Sequence, residues 1–361
     1  MKFISTGRQD TPPNSILALL IFWLAAARVE NPGAAAHSYL RRDALVAASG
    51  AHLRQLAVSA GSGFQAQTAP GTTPATETSP ERRALDYLSR EVPRWSAENH
   101  CYSCHNNGDG ARALYTARGL GDSIAASAID DTTAWLSRPG RWNEPGSEVE
   151  FGDSKMARLQ FASALAAALE AGVLQDPQIL SQAADGSWRV GAEGLLGSPV
   201  TYGTCLATHM ARRILARSGQ ARFAGAIERA DQWLARANVS AVIDAASVAL
   251  ALRDHTDPAA TASATRALDL IIRAQGSEGG WGPYRNSPPE AFDTAMALLA
   301  LATRRGRGDA AEAIRRGRAY LVSIQLPSGA WTGTTRPPGA QSYAQHISTS
   351  AWATMALLLT R

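Results

Sequence analysis

Two of the chain's three cysteines stand three positions apart in the stretch NHCYSCHNN, residues 99–107, with His105 directly behind the second. This is the spacing of covalent c-type haem attachment. Cys101 and Cys104 would each add as a thioether to a haem vinyl group, and His105 would come up beneath the iron as its proximal ligand. The sixth iron position is open: Met156, His209 and Met210 have suitable chemistry, while His100 is too near the attachment point to reach over the ring. A vacant sixth position favours binding or turnover of a small molecule, and a filled one favours electron transfer to a partner protein. Other uses of the pair stay open, namely a Cys101–Cys104 disulfide or redox dithiol, a zinc site that lacks a fourth ligand close by, and a plain surface loop. Cys205 falls within an apolar helical stretch and reads as a small buried hydrophobe.

These residues need a scaffold. The chain has 361 residues, 45% hydrophobic and 18% charged, enough for one large domain or two small ones with a core. Its 35 basic and 31 acidic side chains leave a formal charge of +4 with no block of like sign, which argues against a nucleic-acid partner. Lys2 and Arg8 precede an apolar run, Ile16 to Ala27. That run is shorter than the roughly 20 residues of a membrane-spanning helix and suits the core of a signal peptide. Residues 1–36 therefore read as an export signal cleaved near Ala36, which implies a periplasmic or otherwise exported protein without an integral membrane domain. The twin arginine Arg41–Arg42 leaves a different start and export route open. Residues 37–80 end in GSGFQAQTAPGTTPATETSP, too polar and too rich in Pro and Gly to fold, and read as a disordered linker.

From residue 81 the chain repeats. Gln275 and Trp281 recur as Gln325 and Trp331 at a period of 50 residues, and Gln182 and Trp188 keep the same Gln-to-Trp spacing of six. A helical stretch follows each copy: TCLATHMARRIL (204–215), DTAMALLALATR (293–304) and TSAWATMALLLTR (349–361). Degenerate copies, ALDYLSREVPRW (84–95), AIDDTTAWLSRPGRW (128–142) and AIERADQWLARAN (226–238), fill the gaps. About six helical hairpins result, apolar at helical spacing, and each must bury its face on a neighbour in an open solenoid or a closed ring.

The Gln-x5-Trp copies resemble the QW repeats of the squalene cyclase and prenyltransferase superfamily. The resemblance spans residues 81–361 and implies an all-α fold, an α/α toroid with inner and outer helix rings around a cavity. It also implies that Gln182, Trp188, Gln275, Trp281, Gln325 and Trp331 brace neighbouring hairpins as structural residues. The catalytic motifs do not follow. Class II cyclases protonate substrate with an Asp-x-Asp-Asp-Thr-Ala motif heading an inner helix. The matching EAFDTA (290–295) carries Phe292 where the proton-donating middle acid belongs. AIDDTTA (128–134) holds two acids, but the repeat places it on an outer helix. Protein prenyltransferases hold zinc with an Asp-x-Cys pair and a His; Asp293 matches, Ala295 and Thr349 do not, and His346 lies three residues early.

Asp244 and Asp293 open equivalent inner helices at the cavity mouth, beside Phe292, and read as helix N-caps or as polar contacts to a cavity ligand. The sequence is read as an exported toroid carrying covalent haem c in the loop of its first hairpin, acting in electron transfer or on a ligand in the cavity. The other reading is a terpenoid-cyclase-like toroid that binds an apolar or isoprenoid small molecule without haem, its cysteine pair a disulfide or dithiol.

Overall fold

In the computed structural model the described residues are 78–142, 154–170, 182–190, 196–304, 308–336 and 341–361, and every regular element among them is helical. The expected export signal and nearly all of the linker lie outside the described residues. No helix among the described residues is long and apolar enough to cross a membrane.

The helices are α1 (Pro80–Asn99), a π turn (Cys104–Gly110) leading into α2 (Ala111–Gly119), α3 (Asp130–Leu136), α4 (Ser154–Glu170), α5 (Gly203–Arg217), α6 (Ala224–Arg236), α7 (Val242–Leu252), α8 (Pro258–Ala274), α9 (Ala291–Leu301), α10 (Gly308–Ser323) and α11 (Tyr343–Leu359). Local chemistry starts them where the sequence supplies caps. Ser79 and Asp257 accept from backbone N–H groups ahead of Pro80 and Pro258, and Ser342 with Gln345 forms a capping box.

Burial sorts the helices into two rings. All eleven residues of α9 are buried, whereas α6 buries only Ala230, Asp231 and Leu234. A helix apolar on every side must be surrounded, and one with a single apolar stripe must lie outside. The inner elements close on themselves: the π turn and α2 pack on α4, α4 on α5, α5 on α7, α7 on α9, α9 on α11, and α11 on the π turn again. Among the described residues α1, α3, α6, α8 and α10 form the outer ring, giving an α/α toroid. Hydroxyls inside the inner helices satisfy themselves on the preceding turn, as Ser163, Ser247 and Thr354 do on the carbonyls of Leu159, Ile243 and Ser350.

The repeated Gln side chains make the same bond in each copy, and the repeated Trp backbones do too. The side-chain amides of Gln182, Gln275 and Gln325 donate to carbonyls near the start of the next outer helix, at Ala226 (2.8 Å), Ala313 (2.9 Å) and Pro80 (2.9 Å). The last of these ties the final repeat to the first helix, and Arg318 reinforces it with an ion pair to Glu81 at 2.6 Å. Trp281 and Trp331 donate from Nε1 to Ile271 and Leu321 on the outer helix, and their backbone N–H groups donate to Thr294 and Ser350 on the inner one. Trp188 donates likewise from its backbone to Thr208. Gln therefore links neighbouring hairpins while Trp holds the two helices of one hairpin together.

Gly186, Gly279 and Gly329 sit in each repeat at φ of +95°, +91° and +93°. A Cβ on them would lie 2.4, 2.7 and 2.2 Å from the backbone oxygens of Arg229, Arg316 and Arg83. Only glycine allows the loop to lie against the next outer helix at that distance.

Candidate functional site

The stretch that suggested haem is the entry to the first inner helix. Ser103 caps it, its hydroxyl accepting from the N–H groups of His105 (3.2 Å) and Asn106 (3.4 Å). Asn107 accepts from Ser103 N–H at 2.9 Å and donates to Thr132 Oγ1 at 2.8 Å, and Asn106 donates to the Glu91 carbonyl and the Tyr343 hydroxyl. The two asparagines thus fasten the π turn to α1, α3 and α11. π turns within helices often accompany functional sites, because they re-aim the side chains around them.

Here they aim His105 and Asp109 inward. Asp109 is wholly buried and accepts from Tyr202 OH at 2.5 Å and from Gln160 Nε2 at 2.7 Å. Ser348 also bonds to it and lies 3.0 Å from His105 Nδ1. Burial lifts the Asp109 carboxyl above the usual carboxylate range, against the pull of Arg112 and of the Tyr202, Gln160 and Ser348 bonds. Burial also depresses His105, to about 4, so its ring is neutral at pH 7. Tyr202 stands just ahead of α5 at φ +57°, a left-handed conformation costly for a bulky residue, and this places its hydroxyl on Asp109.

A second cluster surrounds Asp293. Arg336 forms ion pairs with Glu290 (3.1 Å) and, more closely, with Asp293, and it also donates to the Gly197 carbonyl. Two acids face one guanidinium in a buried setting. Burial, with Glu290 adding to it, raises Asp293 to about 8 although Arg336 opposes the shift. Phe292 is fully buried and meets Trp352 edge-on at 5.8 Å. The N-cap reading of the two aspartates is corrected: the cap positions are Ala241 and Glu290, and Asp244 and Asp293 lie within the first turns. Asp244 is half-buried and hydrogen-bonds the Cys205 thiol. Cys205 is thus more than an apolar filler, and burial next to Asp244 pushes its thiol well up. In a disulfide-exchange assay Cys205 should stay unreactive in the native protein and react only on unfolding.

Trp352 joins the clusters. It lies 5.7 Å from the Tyr202 ring as well as against Phe292, with the Arg112 guanidinium 4.0 Å above it. Asp109, Arg112, Gln160, Tyr202, Ser348 and Arg336 were absent from the sequence-derived candidates. They come from separate inner elements and loops, and the one local signal is a charged or amide side chain inside alanine-rich apolar helices.

The haem expectation is corrected. Cys104 and His105 form the first turn of an inner helix whose backbone packs on α1, α4 and α11, so the motif is toroid wall rather than a loop around a macrocycle. No group of three or more His, Cys, Asp or Glu among the described residues is placed to hold a metal ion, which removes the zinc alternative too. The expected sixth ligands have other positions: Met156 is buried at the start of α4, Met210 accepts from Arg112 at 3.6 Å, and His209 is buried on α5. Cys101 and Cys104 are not joined in a disulfide. Asp131 of the other two-acid stretch lies on outer helix α3, where it accepts from Ser96 and Tyr102.

No family model and no curated protein matches the sequence. Among solved structures the chain is similar to ent-copalyl diphosphate synthase from Streptomyces platensis, at 20% identity and TM-score 0.50, over 70% of this chain and 50% of that one. It spans about half the length of that protein. It is also similar to the type II terpene cyclase MstE from Scytonema in its apo form, at 13% identity and TM-score 0.47, over 77% of this chain and 98% of that one. With terpene cyclases as its structural neighbours and no metal-holding cluster among the described residues, the reading of the motif as haem and electron transfer is overturned. The first likeness shows the fold, the α/α toroid of terpene cyclases.

Proposed function

We propose that the protein binds an apolar, isoprenoid-like small molecule within the inner ring. The observation that carries this reading is the convergence of Tyr202, Phe292 and Trp352, three buried rings from three inner-ring positions, beside buried acids. Apolar walls with aromatic faces and a few fixed polar groups suit a flexible unsaturated hydrocarbon chain. Equilibrium dialysis with farnesol should show saturable binding that geranylgeraniol displaces; absence of saturable binding by either alcohol overturns the reading.

Cyclisation driven from the family position is disfavoured, since Phe292 carries no proton and Asp293 is held by Arg336. A second reading, acid chemistry on the bound molecule, is favoured by Asp109. Burial lets its carboxyl keep a proton to higher pH than an exposed aspartate. Transfer of that proton to an alkene carbon would use the π electrons for the new C–H bond and leave a carboxylate and a carbocation on the other alkene carbon. Attack by a second alkene of the same chain and loss of a proton from the resulting cation would discharge it. Tyr202, Gln160 and Ser348 are positioned to stabilise the charge of the carboxylate. With geranylgeraniol in deuterated water, deuterium should appear in the product, and Asp109→Asn should cut its incorporation by about 100-fold or more. Equal incorporation by Asp109→Asn would remove the acid role and leave ligand binding standing.

A further inference from the structure

Arg112 is only 2% exposed, and its place in the ring leaves it under-supplied with partners. One terminal nitrogen reaches Met210 Sδ at 3.6 Å, and the guanidinium lies over Trp352, but Nε and the other terminal nitrogen have no hydrogen-bond partner among the described residues. A guanidinium stays charged, and a thioether and an indole face do not replace the oxygen acceptors it leaves behind in water. Asp109, one turn away, directs its oxygens to Tyr202 and Gln160 and forms no ion pair with it among the described residues.

The helix Arg112 reaches toward carries more positive charge. His209, beside Met210, is 7% exposed with Nδ1 unpartnered. Arg213 follows one turn later on the same face, and Arg112, Arg212, Arg213 and Arg253 all act on His209. The nearby carboxylates have other work: Glu170 binds Arg213 at 2.6 Å, Asp231 is shared by Arg212 and His255, and Asp254 binds Arg253. Two buried side chains with unused nitrogen atoms therefore share a part of the interior where no described side chain supplies them an acceptor.

We propose that Arg112 and His209 form an oxyanion site inside the ring, which takes the phosphate or carboxylate head of an amphipathic ligand. Arg112 donates from Nε and its unpartnered terminal nitrogen in the two-point fashion that suits such a head, and His209 contributes through Nδ1. Trp352 sits beneath the guanidinium and touches Tyr202 and Phe292, so a head on Arg112 directs its tail along the aromatic surface. The inference rests on the apolar-ligand reading for the tail and goes beyond it in assigning a charged end.

The test is titration calorimetry of the full chain with farnesyl phosphate, farnesoate and farnesol. Both anions should bind at least about 10-fold more tightly than farnesol, a difference of about 1.4 kcal/mol. Arg112→Met should abolish that preference while retaining farnesol binding. Arg112→Lys, which keeps the charge and loses the fork, should retain part of it, and it serves where the Met variant does not fold. Equal affinity of the native chain for all three ligands, or a preference that persists in Arg112→Met, overturns the oxyanion site and leaves the apolar-ligand reading standing. Failure of all three to bind overturns both.

Discussion

As the pH falls from 7 to 4, a His209→Gln variant should gain roughly 3 kcal/mol of stability relative to the native chain. Burial, joined by the surrounding arginines, lowers His209 from 6.5 to about 3. Between those values the unfolded chain holds the proton and the folded chain does not, so protons favour unfolding, and stability tied to this group is lost as the pH drops through the window. Above pH 6.5 the group has no effect. His105 acts with the same sign, lowered by burial to about 4. Asp293 acts with the opposite sign: raised to about 8, it contributes stability that is full below pH 3.8 and lost as the pH rises through 8. The native profile is therefore shallower than the histidines alone would make it, and the paired comparison isolates one of them. Urea unfolding of both proteins at half-unit pH intervals measures the difference. Parallel profiles would show that His209 is protonated within the fold.

Gly329→Ala should cost on the order of 4 kcal/mol, among the largest losses expected from one added methyl group. The new Cβ would be strained at φ +93° and would meet the backbone oxygen of Arg83 at 2.2 Å, in the contact that joins the last repeat to the first helix. Gly121 provides the control, since it has φ +91° and nothing within 4 Å of a built Cβ. Gly121→Ala should show the conformational cost alone, roughly 1 kcal/mol. Equal losses in the two variants would mean that the close approach at Gly329 contributes nothing to ring closure.

The toroid was legible because its signal is short, local and repeated. A Gln and a Trp six residues apart recur, and the Gln side chain and Trp backbone N–H bond alike in each copy, so the pattern survives even where the helices between copies have diverged. The position of Asp130 and Asp131 on an outer helix followed from the same register. The site was not legible for the opposite reason. Asp109, Gln160, Tyr202 and Ser348 meet only after the ring closes, and no local spacing links them. The Cys-x-x-Cys-His stretch misled because a pattern in sequence cannot show whether its backbone is free to wrap a cofactor or is already committed to packing. Asn106 and Asn107, two residues that looked like loop, hold that backbone in place.

The bond from Gln325 to Pro80 has a wider consequence for how the molecule comes apart. In a linear array of hairpins the end units have one neighbour each, fray first, and need polar caps to stay soluble. A circle of hairpins has no end unit. Removing any one of them breaks two interfaces at once, so partial unfolding from an edge has no low-cost starting point and the ring should melt as one cooperative body.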